Sequence, residues 1–452
     1  EFISSIFTTI SGLGKYLMVP LMVALIGIFF KANPNKAIKG GITVGIGLFG
    51  LDLALSLVSK YLGPVATALV QMAHLDLEVI DVGWTALSGV AYATEIGAFA
   101  IPYFVGFNIL LLAIGATKTM DIDIWNYWHY ALTGSLISIA TGSMLLGFLA
   151  ASAHAIVIFA FGDRYAEQAQ EVIGIPGISF PHGGNVVTYS VSWALEKVYD
   201  LVGGKDKEEK GVSNETLNKI TNNPVLNILK DPVYVGLILG TLLGFVAKQS
   251  AKDAFTTGMA MSALLYLTPR MVKVLMEGLV PISNACKAIM TKKYKGQQLY
   301  IGMDTAVGLG HPTIMLGTVV MIPVLILLCM FTPGNKIVPM ASLAACGYNC
   351  AIPCVIHKGK VGRTLLTTGI VMIIYLICSS AMAPLITEVA LGAGFQTDYA
   401  VISSVSGDLV VALGFVKAFD IAVVVGIVFS LAIIIGTIII QRNYFKKKAE
   451  LS

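Results

Sequence analysis

Six acids and imidazoles, Asp81, Glu95, His129, His182, Asp304 and His311, fall inside or beside long apolar stretches. An ionisable group at the centre of a membrane helix costs about 3 kcal/mol on insertion scales, so each needs a use. Asp81 and Glu95 bracket a glycine-punctuated stretch that opens Asp81-Val-Gly-Trp84, and Asp304 and His311 bracket a second that closes Gly308-Leu-Gly-His311. Asn126 and His129 stand at i and i+3, and His182 follows Pro181 in a PHGG turn. Carboxylates, imidazoles and amides exchange hydrogen bonds with hydroxyl groups, as a polyhydroxylated solute requires. Trp84, Trp125 and Trp128 offer flat faces for C–H surfaces, although the pair at 125 and 128 reads equally well as anchoring at the headgroup level. His74 and His357 lie beside polar residues at helix ends and read as interfacially solvated, whereas His154, inside an apolar run, reads as the partner of a neighbouring carbonyl. His311 precedes a proline at a helix break, and discontinuous helices frame substrate sites in transporters.

Other chemistries lack their residues. No GxxxxGK[ST] phosphate cradle, HExxH zinc helix or GxSxG nucleophile elbow occurs. Cys346, Cys350 and Cys354 share one helical face at i, i+4 and i+8, but no histidine or carboxylate is read as accompanying them there. No metal site and no cofactor is expected. The basic residues form small loop clusters of the kind that membrane orientation explains, so no nucleic-acid partner is expected.

The elements that must position these groups are membrane helices. Of 452 residues, 56% are hydrophobic and only 12% charged, against about 25% charged in a soluble domain, and the mean hydropathy is +0.81. Apolar runs near 14–31, 40–58, 97–115, 124–142, 145–162, 233–247, 253–272, 313–332, 338–356, 364–386 and 415–441 predict about eleven transmembrane helices in an all-α polytopic membrane protein. The first run lacks a small-residue cleavage site, so no cleavable signal peptide is expected. Arg442, Lys446, Lys447 and Lys448 near the end predict a cytoplasmic C-terminus, and an odd number of crossings then puts the N-terminus outside. Only Lys15, Lys60, Lys248, Lys252, Lys336 and Lys417 among the basic residues fall on the outer side.

Landmarks recur at an offset of 217 to 223 residues. Leu62-Gly-Pro-Val-Ala-Thr-Ala matches Leu279-Val-Pro-Ile-Ser-Asn-Ala; Ala37 and Gly41 match Ala254 and Gly258; Ile101-Pro102 matches Ile322-Pro323; Lys118 matches Lys336. Five crossings per unit make the second unit inverted relative to the first, a transporter signature. The chain divides into a first inverted repeat at 1–162 with a re-entrant hairpin near 81–95, and a cytoplasmic or interfacial connection at 163–232. A second repeat follows at 233–386 with its hairpin near 300–311, and 387–452 carries a polar turn, the last transmembrane helix and a basic tail. Segments 61–75 and 276–291 read as interfacial amphipathic helices, and Lys205–Lys210 as a solvated loop.

The ordered motifs DVGW (81–84), DIWNYWH (123–129), ATGS (140–143), GISFPHG (177–183), LTPR (267–270), IGMD (301–304), GLGH (308–311) and PGNK (333–336) cover nearly the whole chain. In them it resembles the galactitol-type IIC permeases of the phosphoenolpyruvate-dependent sugar phosphotransferase system. That resemblance implies two inverted five-helix repeats, a core domain moving against a V-shaped dimerisation domain, a homodimer, and a place in the bacterial inner membrane. It also implies separate cytoplasmic IIA and IIB partners, with the phosphoryl donor a cysteine on IIB and no catalytic residue in this chain. Thr85 stands where the galactitol pattern has proline, and Ser403–Asp408 replaces a glutamine- and glycine-rich turn. Another hexitol, a pentitol or galactose fits the same polar inventory. The alternative from the residues alone is an ion-coupled secondary transporter of a small polar solute, with Asp81, Glu95 and Asp304 as proton or sodium sites.

Overall fold

The long apolar runs lack helix-breaking clusters and close their own backbone hydrogen bonds, the condition for crossing lipid. The computed structural model describes residues 15–57, 60–61, 64–65, 79–121, 123, 126–203, 232–293, 299–395 and 401–451. Among them, four helices are long and apolar enough to cross a membrane: α4 (Glu95–Ala113), α6 (Met144–Ile173), α12 (Val361–Gly392) and α14 (Val423–Leu451). A fifth is counted if the two parts of α10 (Pro312–Phe331), bent by 41°, form one span. The protein is a mostly helical, multi-pass membrane protein.

Helices α1 (Lys15–Phe29), α2 (Pro34–Leu57), α8 (Pro232–Val246) and α9 (Ala251–Lys293) pack on one another as a layer. Small residues set its crossings. A Cβ at Gly41 would run into the Pro20 carbonyl, and one at Gly258 into the Leu237 carbonyl, so the backbones approach as only glycine permits. Gly45-Ile-Gly47-Leu-Phe-Gly50 has the spacing of a dinucleotide cradle, but it lies within α2, where Leu275 and Met271 crowd Gly47 and Gly50.

The remaining elements surround the polar residues. α3 (Gly83–Ala93) is an 11-residue, almost wholly buried helix that turns at Thr94 into α4. α5 (Tyr127–Thr141) packs on α6, whose ends carry Ser143 as N-cap and a left-handed Gly174. α7 (Val186–Gly203), α11 (Cys346–Ile356), α13 (Gly407–Ile421) and a 3₁₀ turn at Thr305–Gly310 complete this part.

Six very short strands, absent from the all-α expectation, tie the halves of the chain together. β1 (Val79–Asp81) lies between β5 (Ile337–Val338) and β6 (Val401–Ser403), all parallel. β4 (Tyr300–Gly302) lies between β2 (Thr119–Asp121) and β3 (Ile178–Ser179), also parallel. Strand starts Val79 and Tyr300, Thr119 and Ile337, and Ile178 and Val401 are 221, 218 and 223 residues apart. Smaller details follow the same spacing. Thr94 caps α4 and His311 caps α10, while the Lys118 N–H donates to Asp163 (3.1 Å) and the Lys336 N–H to Ser380 (2.8 Å).

Several boundaries differ from the sequence reading. The segment 276–291 is no separate interfacial helix but continues α9, a 43-residue helix running through Pro281. Most of 61–75, and all of Lys205–Lys210, lie outside the described residues. Within 163–203, α6 extends to Ile173 and α7 buries Thr188, Tyr189 and Ser192, so this part is packed rather than loop. The run 338–356 is a strand end, a 3₁₀ turn and the short α11. The last apolar run is split, because Ala422 is extended (φ −169°, ψ 149°) between α13 and α14. Overpacking costs about 1–3 kcal/mol. Gly258→Leu is therefore expected to lower the thermal midpoint of the detergent-purified protein clearly, while Gly436→Leu, with nothing within 4 Å of the added Cβ, leaves it unchanged.

Candidate functional site

Helix starts and strand ends converge on one polar cavity. Asp81, at the end of β1, folds back to accept the Gly83 N–H (3.0 Å), and Gly83 takes φ +76°, placing Trp84 at the mouth of α3. The first turn of α5 presents Trp128 and His129, and the turn after β3 presents His182, Gly184 and Asn185. Asp304 caps the 3₁₀ turn through the Ala306 N–H (2.8 Å). Ser406 caps α13, and α11 adds Tyr348 and Asn349. The cavity and its mouth hold about 470 Å³ of unfilled space, within the range of small-molecule pockets, about 300–1,000 Å³.

One wall is aromatic: the Trp84 and Trp128 rings lie 6.4 Å apart at 25°, and Tyr348 lies 5.9 Å from Trp84. A chain of ionisable groups continues the lining from Trp128, whose ring centroid lies 3.9 Å from that of His129. Asp408 meets His129 Nδ1 at 2.7 Å, His129 Nε2 meets His182 Nε2 at 3.1 Å, and His182 Nε2 lies 3.8 Å from Asp304 Oδ1. Two facing Nε2 atoms at 3.1 Å must share a proton. With Asp408 holding a proton on His129 Nδ1, neutral rings put the shared proton on His182 Nε2 and leave His182 Nδ1 an acceptor without a partner among the described residues. Ser406 Oγ–H donates to Asp408 Oδ2 at 2.6 Å, and His154 behind the turn contacts the Gly183 carbonyl at 3.0 Å. Among the described residues the lining contains two carboxylates, two imidazoles and two amides, and neither lysine nor arginine. Such a surface suits a neutral polyhydroxylated molecule with one apolar face.

Of the eight residues singled out from sequence, Trp84, His129, His182 and Asp304 line the cavity. The other four are placed elsewhere. Asp81 is fully buried, its carboxylate accepting from Gly83, Met340 and twice from Ser342 at 2.7–3.0 Å. Asn126 lies behind the wall, donating to Asp121 Oδ1 at 2.8 Å. Glu95 is exposed in the first turn of α4, where a carboxylate complements the helix N-terminus. His311 caps α10, and its Nδ1 lies 3.3 Å from Cys354 Sγ. Among the described residues no group of three or more His, Cys, Asp or Glu is arranged to hold a metal ion. Trp125 lies outside the described residues.

Asp408 is the residue that sequence reasoning missed. Its signal was the polar run Ser403–Asp408 before an apolar helix, which is also what an ordinary helix N-terminus looks like. Removing one partner of a buried hydrogen bond and leaving the other unsatisfied costs about 1–3 kcal/mol. Asp408→Ala is expected to destabilise the purified protein by that order and Asp408→Asn, which keeps an acceptor, by less, as read from thermal denaturation.

Residues 9–400 match the family model EIIC-GAT, described as the PTS system sugar-specific permease component. A candidate permease IIC component of Escherichia coli (strain K12) is 36% identical over 390 residues, covering 86% of this chain and 88% of that protein. The galactitol-specific EIIC component of the same strain is 29% identical over 391 residues, covering 86% and 85%. That of Escherichia coli O157:H7 aligns with the same values. With the family model matching well over half of its length, this chain belongs to the EIIC-GAT family of phosphotransferase-system sugar permeases.

Proposed function

We propose that the protein is the sugar-translocating IIC subunit that binds galactitol or a related polyol or sugar in the cavity between Trp84, Trp128, His182 and Asp304, and hands it to a phosphocysteine on a separate IIB chain. The observation that carries this reading is the cavity itself: aromatic faces beside carboxylates and imidazoles that bind hydroxyls, with no lysine or arginine among the described residues of its lining. Similarity to galactitol-specific EIIC components supports the substrate class. IIA and IIB proteins are the expected cytoplasmic partners.

The transport step follows from the spacing of the elements. Paired roles 217–223 residues apart support two five-helix units, with α14 as an additional crossing and eleven in all. An odd count with the basic end inside leaves the N-terminus outside. Strand exchange ties elements of both units into a core, and α1, α2, α8 and α9 form the layer against which the core slides in an elevator-type motion. The seam between them, lined by Val19, Val23, Val44, Ile101, Leu275 and Leu279 among others, is apolar and therefore tolerant of sliding. That layer is the proposed dimerising surface of a homodimer.

Protein reconstituted in nanodiscs is expected to bind galactitol, or another member of a panel of hexitols, pentitols and galactose, with its tryptophan fluorescence responding. Removing a buried hydrogen-bond partner costs about 1–3 kcal/mol. Asp304→Ala and His182→Ala should therefore each weaken binding about tenfold or more, whereas Glu95→Gln leaves it within a factor of two. Unchanged affinity in both cavity variants would move the site elsewhere. Uptake into vesicles that collapses with an uncoupler and needs no IIB would favour the ion-coupled alternative.

A further inference from the structure

We propose that Asp304 is the base that takes the proton of the substrate hydroxyl as it is phosphorylated. This rests on the reading of the cavity as the sugar site of a phosphotransferase permease. Two aspartates 223 residues apart hold the same local position: each folds its Oδ1 onto the backbone N–H two residues on, Asp81 onto Gly83 and Asp304 onto Ala306. Asp81 goes no further than structure. Both its oxygens are saturated, Oδ1 also by the Ser342 hydroxyl and Oδ2 by the N–H groups of Met340 and Ser342.

Asp304 is different on one oxygen. Its Oδ1 accepts from Ala306 and, at 3.4 Å, from the Thr305 hydroxyl, while its Oδ2 accepts from no described residue and the side chain lines the cavity. The turn therefore explains Oδ1 and leaves Oδ2 unexplained. Beside it, His182 Nε2 stands 3.8 Å from Oδ1, too far for a direct hydrogen bond and close enough for one hydroxyl to touch both groups. In that seat Asp304 accepts the hydrogen of the hydroxyl, and the His182 ring, its N–H held by His129, fixes the hydroxyl's place from the other side. His182 is a positioning residue, with Asp408 and His129 fixing where its proton sits.

The step balances without further reagents. The hydroxyl oxygen attacks the phosphorus of the IIB phosphocysteine, the O–P bond forms as the S–P bond breaks, and the cysteine leaves as a thiolate. The hydroxyl proton passes to Asp304 Oδ2 and is lost to water after the sugar phosphate departs. A positioned base contributes about 10²–10⁴ in rate.

The test separates base from binder. Asp304→Asn keeps the capping oxygen and a hydrogen-bonding group but cannot take a proton. With galactitol, or the panel polyol that the native protein binds, as acceptor, and phosphorylated galactitol-type IIB as donor, single-turnover transfer in Asp304→Asn should fall about 100-fold or more, with affinity within about threefold of native. Asp304→Ser, which retains a capping hydroxyl and opens space, should recover part of its rate in formate. Transfer at the native rate in Asp304→Asn overturns the proposal, as does a loss of transfer matched by the loss of binding. Failure of the native protein to bind any polyol would instead sink the reading of the site.

Discussion

Extended backbone at membrane depth is tolerated only where every N–H and C=O finds a partner within the protein. The fold meets that constraint by pairing each half's first strand with the later strands of the other half, β1 with β5 and β6, and β4 with β2 and β3. The pairings are few, but they fix which residues face each other. Val79 donates its N–H to the Lys336 carbonyl and Tyr300 to the Lys118 carbonyl, so the chain leaves each central strand at a set place and direction. Asp81 ends β1 and Asp304 comes two residues after β4, and the cavity stands where the next helices begin.

From that junction the electrostatics follow. Buried acids need either complete hydrogen bonding or a counter-ion. Asp81 is satisfied by four donors, Asp408 by His129 and Ser406, and Asp163 by Thr117, Thr119, Lys118 and the Gln441 amide of α14. Asp304 alone of these four has an oxygen that no described residue satisfies, and it lies where a solute could enter. It shares the cavity lining with the rings of Trp84 and Trp128, which gives the cavity partners both for hydroxyl groups and for C–H surface.

Much of this was legible before any coordinates. The cost of charge in an apolar chain picked out His129, His182 and Asp304, and the recurrence of Gly41 at Gly258 pointed to equivalent helix crossings. Asp81 was singled out by the same logic as Asp304, since composition cannot tell a saturated carboxylate from one with a free oxygen. Asp408 escaped because its partner His129 is 279 residues away and an acid at a helix start is unremarkable. Strands of two or three residues carry too little alternation to be seen in sequence. The continuity of α9 through Pro281 was also hidden, because a proline inside a helical pattern reads as a helix boundary.

The central claim is that strand exchange between the halves builds a single sugar site at their junction. A structure of the protein in nanodiscs with the bound polyol tests it most directly. The account predicts the ligand in the cavity against Trp84 and Trp128, with hydroxyls at hydrogen-bond distance from Asp304 and His182 and the pairings of β1 with β5 and of β2 with β4 intact. A ligand ordered outside this cavity, or strand pairs separated around it, would contradict the account.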